Sequence, residues 1–173
     1  MGWTLVFTGY GLISNFLFQI LKSKGGDSTS MGIALAVAAI SEVPTMFLFV
    51  EMVRKLKSGT WLKISGGFFV MKILGVFVFT SMAGIYVAHA FQMLGYALFS
   101  VASVYYINCL MEEHDKVRGQ VYMTMTSTMG AVIGSTIGGA IIDIFGIQAM
   151  LMVAVASAVA GAVLVFRTAK SNI

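Results

Sequence analysis

FFVMKILGVFVFTSMAGIYVAHAFQ, residues 68–92, decides how the chain is read. The stretch is apolar nearly throughout, yet it holds Lys72, His89 and Gln92. Roughly 25 residues of this composition, interrupted by Ser81-Met82-Ala83-Gly84, do not read as one helix of a soluble protein. They read as two membrane spans meeting in a hairpin. An ammonium near the middle of the first span costs roughly 2.5–3.5 kcal/mol on insertion scales, and more by other estimates. A side chain kept at that cost is expected to be used.

The rest of the composition agrees with a membrane protein. Of 173 residues, 58% are hydrophobic and 10% charged, with a mean hydropathy of +0.92. Soluble domains carry roughly a quarter charged residues, and eleven Lys and Arg with seven Asp and Glu cannot cover a soluble surface of this size. The net charge of +4 and pI of 9.3 do not call for nucleic acid, because cytoplasmic loops of membrane proteins are themselves enriched in Lys and Arg. The single Cys109 has no partner for an internal disulfide and no metal-ligand spacing around it. The Met and Phe residues, thirteen of each, read as span filler. No cofactor and no metal is expected. MGWTLVF enters an apolar run without a basic leader or a small-residue cleavage site, so the first run reads as a retained span.

At about 20 residues per span, six emerge, over residues 3–21, 31–53, 61–81, 84–110, 119–142 and 146–166. The expected fold class is therefore all-α: a polytopic membrane protein of six transmembrane helices in a single domain, 1–173. With both termini inside, the inner segments hold Arg54, Lys55, Lys57, Lys63, Lys116, Arg118, Arg167 and Lys170, and the outer ones only Lys22 and Lys24. This bias sets both termini on the cytoplasmic side of the cell membrane.

Polar residues within the spans cluster. Thr8, Gly11, Asn15 and Gln19 fall at steps of three or four and share a helical face. His89, Gln92, Tyr96 and Ser103 do much the same in the fourth span. Gly130, Gly134 and Gly138 in the fifth make two overlapping small-residue steps that admit a close neighbouring helix. Glu42 in the second span is followed by Pro44, the chain's only proline, which is expected to free the Ile40 carbonyl and kink the helix. The last span has no charged side chain before Arg167 and reads as peripheral and lipid-facing.

Glu42 and Lys72 lie at similar depth, each roughly 16 Å from the cytoplasmic end of its span at 1.5 Å per residue. Two readings stand for them. They form a buried pair that only packs helices, or they line a polar cavity and meet a solute or proton. Desolvating two ions is a costly way to pack helices, which favours the second. His89 can change charge near neutral pH, but a lone histidine in a span is as often a packing residue. Gln92 can only donate and accept hydrogen bonds. Glu112-Glu113-His114-Asp115 falls in a loop and reads as a solvated charge run. No nucleophile elbow, metal spacing or paired carboxylates speak for an enzyme, and no filter sequence speaks for a channel.

These residues together resemble the C-terminal six-helix half of a major facilitator superfamily transporter, and more narrowly the group of lactose permease, the nucleoside–proton symporters and the phenylpropionate permeases. Ser41-Glu42-Val43-Pro44 resembles the Glu-x-Pro of that group's eighth span, and residues 54–59, RKLKSG, its basic loop between spans eight and nine. Lys72 stands where the group commonly has an arginine. His89 with Gln92 resembles the His-x-x-Glu of the tenth span in lactose permease. Residues 134–146, GSTIGGAIIDIFG, resemble the glycine-rich end of span eleven and its turn.

The resemblance implies one half of a twelve-helix fold around a cavity that opens to one side at a time. It implies Glu42 as a solute or proton ligand, Lys72 as the balancing cation and His89 in the coupling network, with Gln92, Asn15, Gln19 and Tyr96 as further candidate ligands. Gln92 and Thr128 depart from lactose permease, which has a glutamate and a lysine there. The implied activity is secondary active, proton-coupled symport of a small polar or aromatic solute. The implied partners are the lipid bilayer, the solute, protons, and an N-terminal six-helix half or a second copy. Six spans where the group has twelve read as a truncated reading frame, a fragment, or a half that assembles with another chain; the start at Met1, directly on a span, fits truncation at an internal methionine. The rival reading is a non-transporting six-span scaffold or assembly subunit.

Overall fold

A computed structural model of the chain describes residues 1–53 and 56–169. Arg54, Lys55 and Lys170, three of the cations counted as cytoplasmic, lie outside the described residues. Among the described residues there are seven α-helices and two 3₁₀ turns: α1 (Gly2–Asn15), α2 (Leu17–Ser23), α3 (Ser28–Val53), α4 (Ser58–Val78), α5 (Met82–Ala90), α6 (Tyr96–Leu110) and α7 (Lys116–Thr168), with 3₁₀ turns at Phe91–Met93 and Glu113–Asp115. There is no strand among the described residues. The α3, α4, α5–α6 and α7 stretches are each long and apolar enough to cross a membrane, and so are α1 and α2 taken together.

At 53 residues, α7 would be roughly 80 Å long if straight, far more than the ~30 Å hydrocarbon core. It folds back at Gly146, whose φ of 83° and ψ of 172° lie in a region open essentially only to glycine. The two limbs, 116–145 and 147–168, both pack on α1. On the first limb the contacts ascend together: Gly130 meets Thr4 and Phe7, Gly134 meets Thr8 and Leu12, and Gly138 meets Leu12 and Phe16. On the second limb they descend, with Ala154 against Gly9 and Gly161 against Gly2 and Val6. The first limb therefore runs parallel to α1 and the second antiparallel. A β-carbon on Gly130 would sit 2.5 Å from Phe7 Cβ, and one on Gly161 would sit 2.6 Å from the Gly2 carbonyl. These backbones approach at distances only glycine allows.

The core runs along the bundle between α1, α4 and the second limb of α7. At one end Trp3, Phe7, Phe69 and Phe99 interlock as tilted and edge-on rings, with Trp61 and Val165 buried in the same layer. In the middle Leu12, Ile13, Ile73 and Val76 pack on Met150, Leu151, Ala154 and Ala158. At the other end Leu17, Leu21, Ala34 and Ile85 form a smaller cluster.

Three features differ from the sequence reading. The first span is two helices, α1 and α2, bent by 60° at Phe16. The Phe16 ring occupies the notch beside Gly138, and neither proline nor glycine marks the bend. The turn after α4 is Phe79–Thr80, not Ser81–Gly84. The Ser81 hydroxyl caps α5 by accepting from the Gly84 N–H at 3.2 Å, a standard serine role at a helix start. The last span is not simply lipid-facing. Met150, Leu151, Ala154, Ala158, Gly161, Ala162 and Val165 give it a buried face of mostly small residues against α1 and α4. Elsewhere α3 runs on through Pro44 without a break.

Candidate functional site

The site is built where the α5–α6 span is broken. After Ala90 the α-helix tightens into the 3₁₀ turn Phe91–Met93, and α6 restarts only after Gly95. Gly95 lies close to the α4 backbone at Phe68 and Phe69, so the break is pressed against α4. Gln92 sits on this turn, between α3 and α4. Its carbonyl Oε1 accepts from the Lys72 ammonium on α4, and its Nε2 donates to Glu42 Oε1 on α3 at 2.5 Å. The amide therefore joins cation and anion with its dipole oriented to satisfy both.

Lys72 is only 4% exposed and its Nζ lies 4.8 Å from the centroid of the Tyr10 ring, a cation–π contact from α1. Tyr10 in turn stacks on Tyr96, at 5.7 Å between centroids and 16° between planes. Tyr10 and Tyr96 thus form an aromatic platform beside the ion chain. Glu42 and Gln92 are half-buried and Tyr96 is 38% exposed, so the assembly has a dry side at Lys72 and an open side at Tyr96. Next to it, between α6 and the first limb of α7, lies a cavity of about 260 Å³ whose lining includes Tyr96, Ser100, Ser103, Gln120, Thr124 and Ser127.

The other candidate residues are placed differently. His89 is 2% exposed, and its Nδ1 pairs with the Ile85 carbonyl of its own helix at 3.0 Å. Asn15 bonds to Ser135 Oγ on α7 at 2.6 Å, a bridge between helices rather than part of the ion chain. Gln19 lies beyond the bend at Phe16 and is exposed, away from the face of Thr8 and Gly11. The structure thus brings together Glu42, Lys72, Gln92 and, through Tyr10, Tyr96. It does not join Asn15 or Gln19 to them. Tyr10 was not singled out from the sequence, although a phenol deep in a span, rather than at the interfacial aromatic belt, is a usable signal.

The loop between α6 and α7 carries its own ion pairs: Lys116 with Glu113 at 2.6 Å, Arg118 with Asp115 at 3.3 Å, and His114 beside Glu112 and Asp115. The Lys116 ammonium draws the Glu113 carboxyl below its usual range. On the opposite end, Lys24 donates to the Val76 and Phe79 carbonyls at 2.5 and 2.6 Å and so caps the C-terminus of α4.

The family model for the Major Facilitator Superfamily matches residues 2–172. The chain belongs to the Major Facilitator Superfamily. No curated protein matches it. As a superfamily member it is a multi-pass membrane protein of a transporter family, set in a lipid bilayer and handling a solute. A helix interrupted at mid-membrane, with polar groups gathered at the interruption, is how transporter folds commonly build a binding site.

Proposed function

We propose that the chain is the C-terminal six-helix half of a secondary active transporter, and that it moves a small polar or aromatic solute with protons by alternating access. The observation that carries this reading is the Lys72–Gln92–Glu42 chain at the broken span. An ammonium and a carboxylate are held inside the apolar bundle and joined through a neutral amide, with the ammonium also over the Tyr10 ring and one end of the chain facing the open side. Packing alone is served better by apolar residues of similar size. Glu42 is the proton carrier in this reading, because Gln92 cannot titrate. Lys72 balances its charge, and Tyr10 and Tyr96 give ring contacts to an aromatic solute. Asn15 and His89, tied to Ser135 and Ile85, serve helix packing. The excess of Lys and Arg on one set of loops supports cytoplasmic termini in the cell membrane. An N-terminal six-helix half covers the open side.

The test uses source cells in which the Glu42 codon is changed to Gln at its native locus. Uptake of labelled polar and aromatic solutes is compared with wild-type cells under an imposed pH gradient. Loss of pH-driven uptake of at least one solute is expected. Uptake profiles identical to wild type remove Glu42 from the mechanism.

A further inference from the structure

We infer that the solute is a zwitterion: a small molecule carrying a carboxylate and an ammonium on the same carbon, with an apolar or aromatic body. This rests on the reading of the Lys72–Gln92–Glu42 chain as the solute site. Gln92 places an acceptor on Lys72 and a donor on Glu42, one amide apart. A carboxylate and an ammonium on the same carbon present the same pair of functions in the same order and over a similar span. Gln92 thus occupies, from within the protein, the place such a solute fills.

Both ions keep capacity for it. An ammonium has three donors, and Lys72 directs one at Gln92 while facing the Tyr10 ring. Glu42 receives Gln92 on Oε1, and its Oε2 receives no donor among the described residues. Charge balance points the same way. Lys72 and Glu42 together are neutral, so a solute of a single sign adds an uncompensated charge to a low-dielectric site, whereas a zwitterion adds none. The platform runs from Tyr10, against Lys72, to Tyr96 at the open side, and offers a ring face to the body of the solute.

The test is equilibrium binding to the chain in lipid nanodiscs with four probes: phenylalanine, phenethylamine, 3-phenylpropionate and a neutral hexose. They separate the zwitterion from its cationic half, its anionic half and an uncharged polyol. Phenylalanine is expected to bind at least tenfold tighter than each of the other three. Glu42→Gln is expected to shift the preference towards phenylpropionate, and Lys72→Gln towards phenethylamine, with helix content by circular dichroism confirming that both variants fold. Equal or tighter binding of a singly charged probe or the hexose overturns the zwitterion assignment while leaving the solute site standing. Binding that neither variant alters overturns the site itself, and the assignment with it.

Discussion

Lys72 and Glu42 are joined through the amide of Gln92 rather than to each other. The cation is buried, the anion half-buried, and the amide that connects them sits on a 3₁₀ turn rather than in a regular helix. A short, tight segment in the middle of a span is where a small rotation moves a side chain furthest relative to its neighbours. A change at Gln92 therefore acts on both ions at once.

Replacing Gln92 with Leu leaves a buried ammonium without its acceptor and a carboxylate without its donor. The expected loss is about 3–5 kcal/mol, the range for breaking a buried ion pair by removing one partner. Adding Glu42→Met and Lys72→Met to Gln92→Leu is expected to recover most of it, because no charge then remains to be satisfied. Thermal melting of the purified variants in detergent measures both steps. A triple variant less stable than Gln92→Leu refutes the linkage.

Gly161 and Gly146 predict the same substitution failing for different reasons. Gly161→Ala drives a methyl group to 2.6 Å from the Gly2 carbonyl and the Val6 nitrogen, and is expected to cost about 1–3 kcal/mol through overpacking. Gly146→Ala meets no atom within 4 Å, yet is expected to cost about 1–3 kcal/mol because its φ of 83° and ψ of 172° suit only glycine. Gly67→Ala, with open space and no such backbone constraint, is the control and should leave the melting temperature unchanged or slightly raised.

Lys24 reaches from the end of α2 to the last carbonyls of α4. Lys24→Met removes both bonds and leaves those carbonyls without their cap. Hydrogen exchange at residues 76–82 should speed up, while exchange in α6 stays as it was. Uniform acceleration over the whole chain would mean that Lys24 holds the fold together rather than one helix end.

Asp27 stands just before α3, where its Oδ1 accepts from the Ser30 N–H at 2.8 Å and from the Ser30 hydroxyl at 2.9 Å. These bonds hold its carboxyl below the ordinary value of 3.8. Because the folded value is the lower one, the stabilisation is fully present above pH 4 and is lost as the pH falls through that depressed value. Protection of the first-turn amides of α3, corrected for intrinsic exchange, should therefore decline only below about pH 4. Asp27→Ala should remove the pH dependence and, above about pH 4, lower protection to the level the wild type reaches only at low pH.

Much of the fold was legible because bilayer thickness turns apolar run length into helix count. The glycine series at Gly130, Gly134 and Gly138 announced a close helix neighbour, and the break between residues 142 and 146 announced the fold-back. The bend at Phe16 was not legible, since an ordinary aromatic residue sits there and its partner notch at Gly138 is more than a hundred residues away in sequence. The Phe79–Thr80 turn was missed because Ser81–Gly84 looks like a turn, although its serine is a helix cap. Matched depth put Glu42 and Lys72 together, but residue counting carries no azimuth. It therefore gave neither the Gln92 bridge nor the ring of Tyr10 beneath Lys72.

The seats of α1 have a consequence for biosynthesis. This helix is translated well before its partners: the surfaces that hold it, around Gly130, Gly138, Ala154 and Gly161, are made only after a hundred or more further residues. Until then its groove-fitting flank, with Thr8 and Gly11, has no permanent neighbour. The nascent chain must shelter it at the insertion machinery or against a provisional companion, and any pause before residue 130 prolongs that exposure.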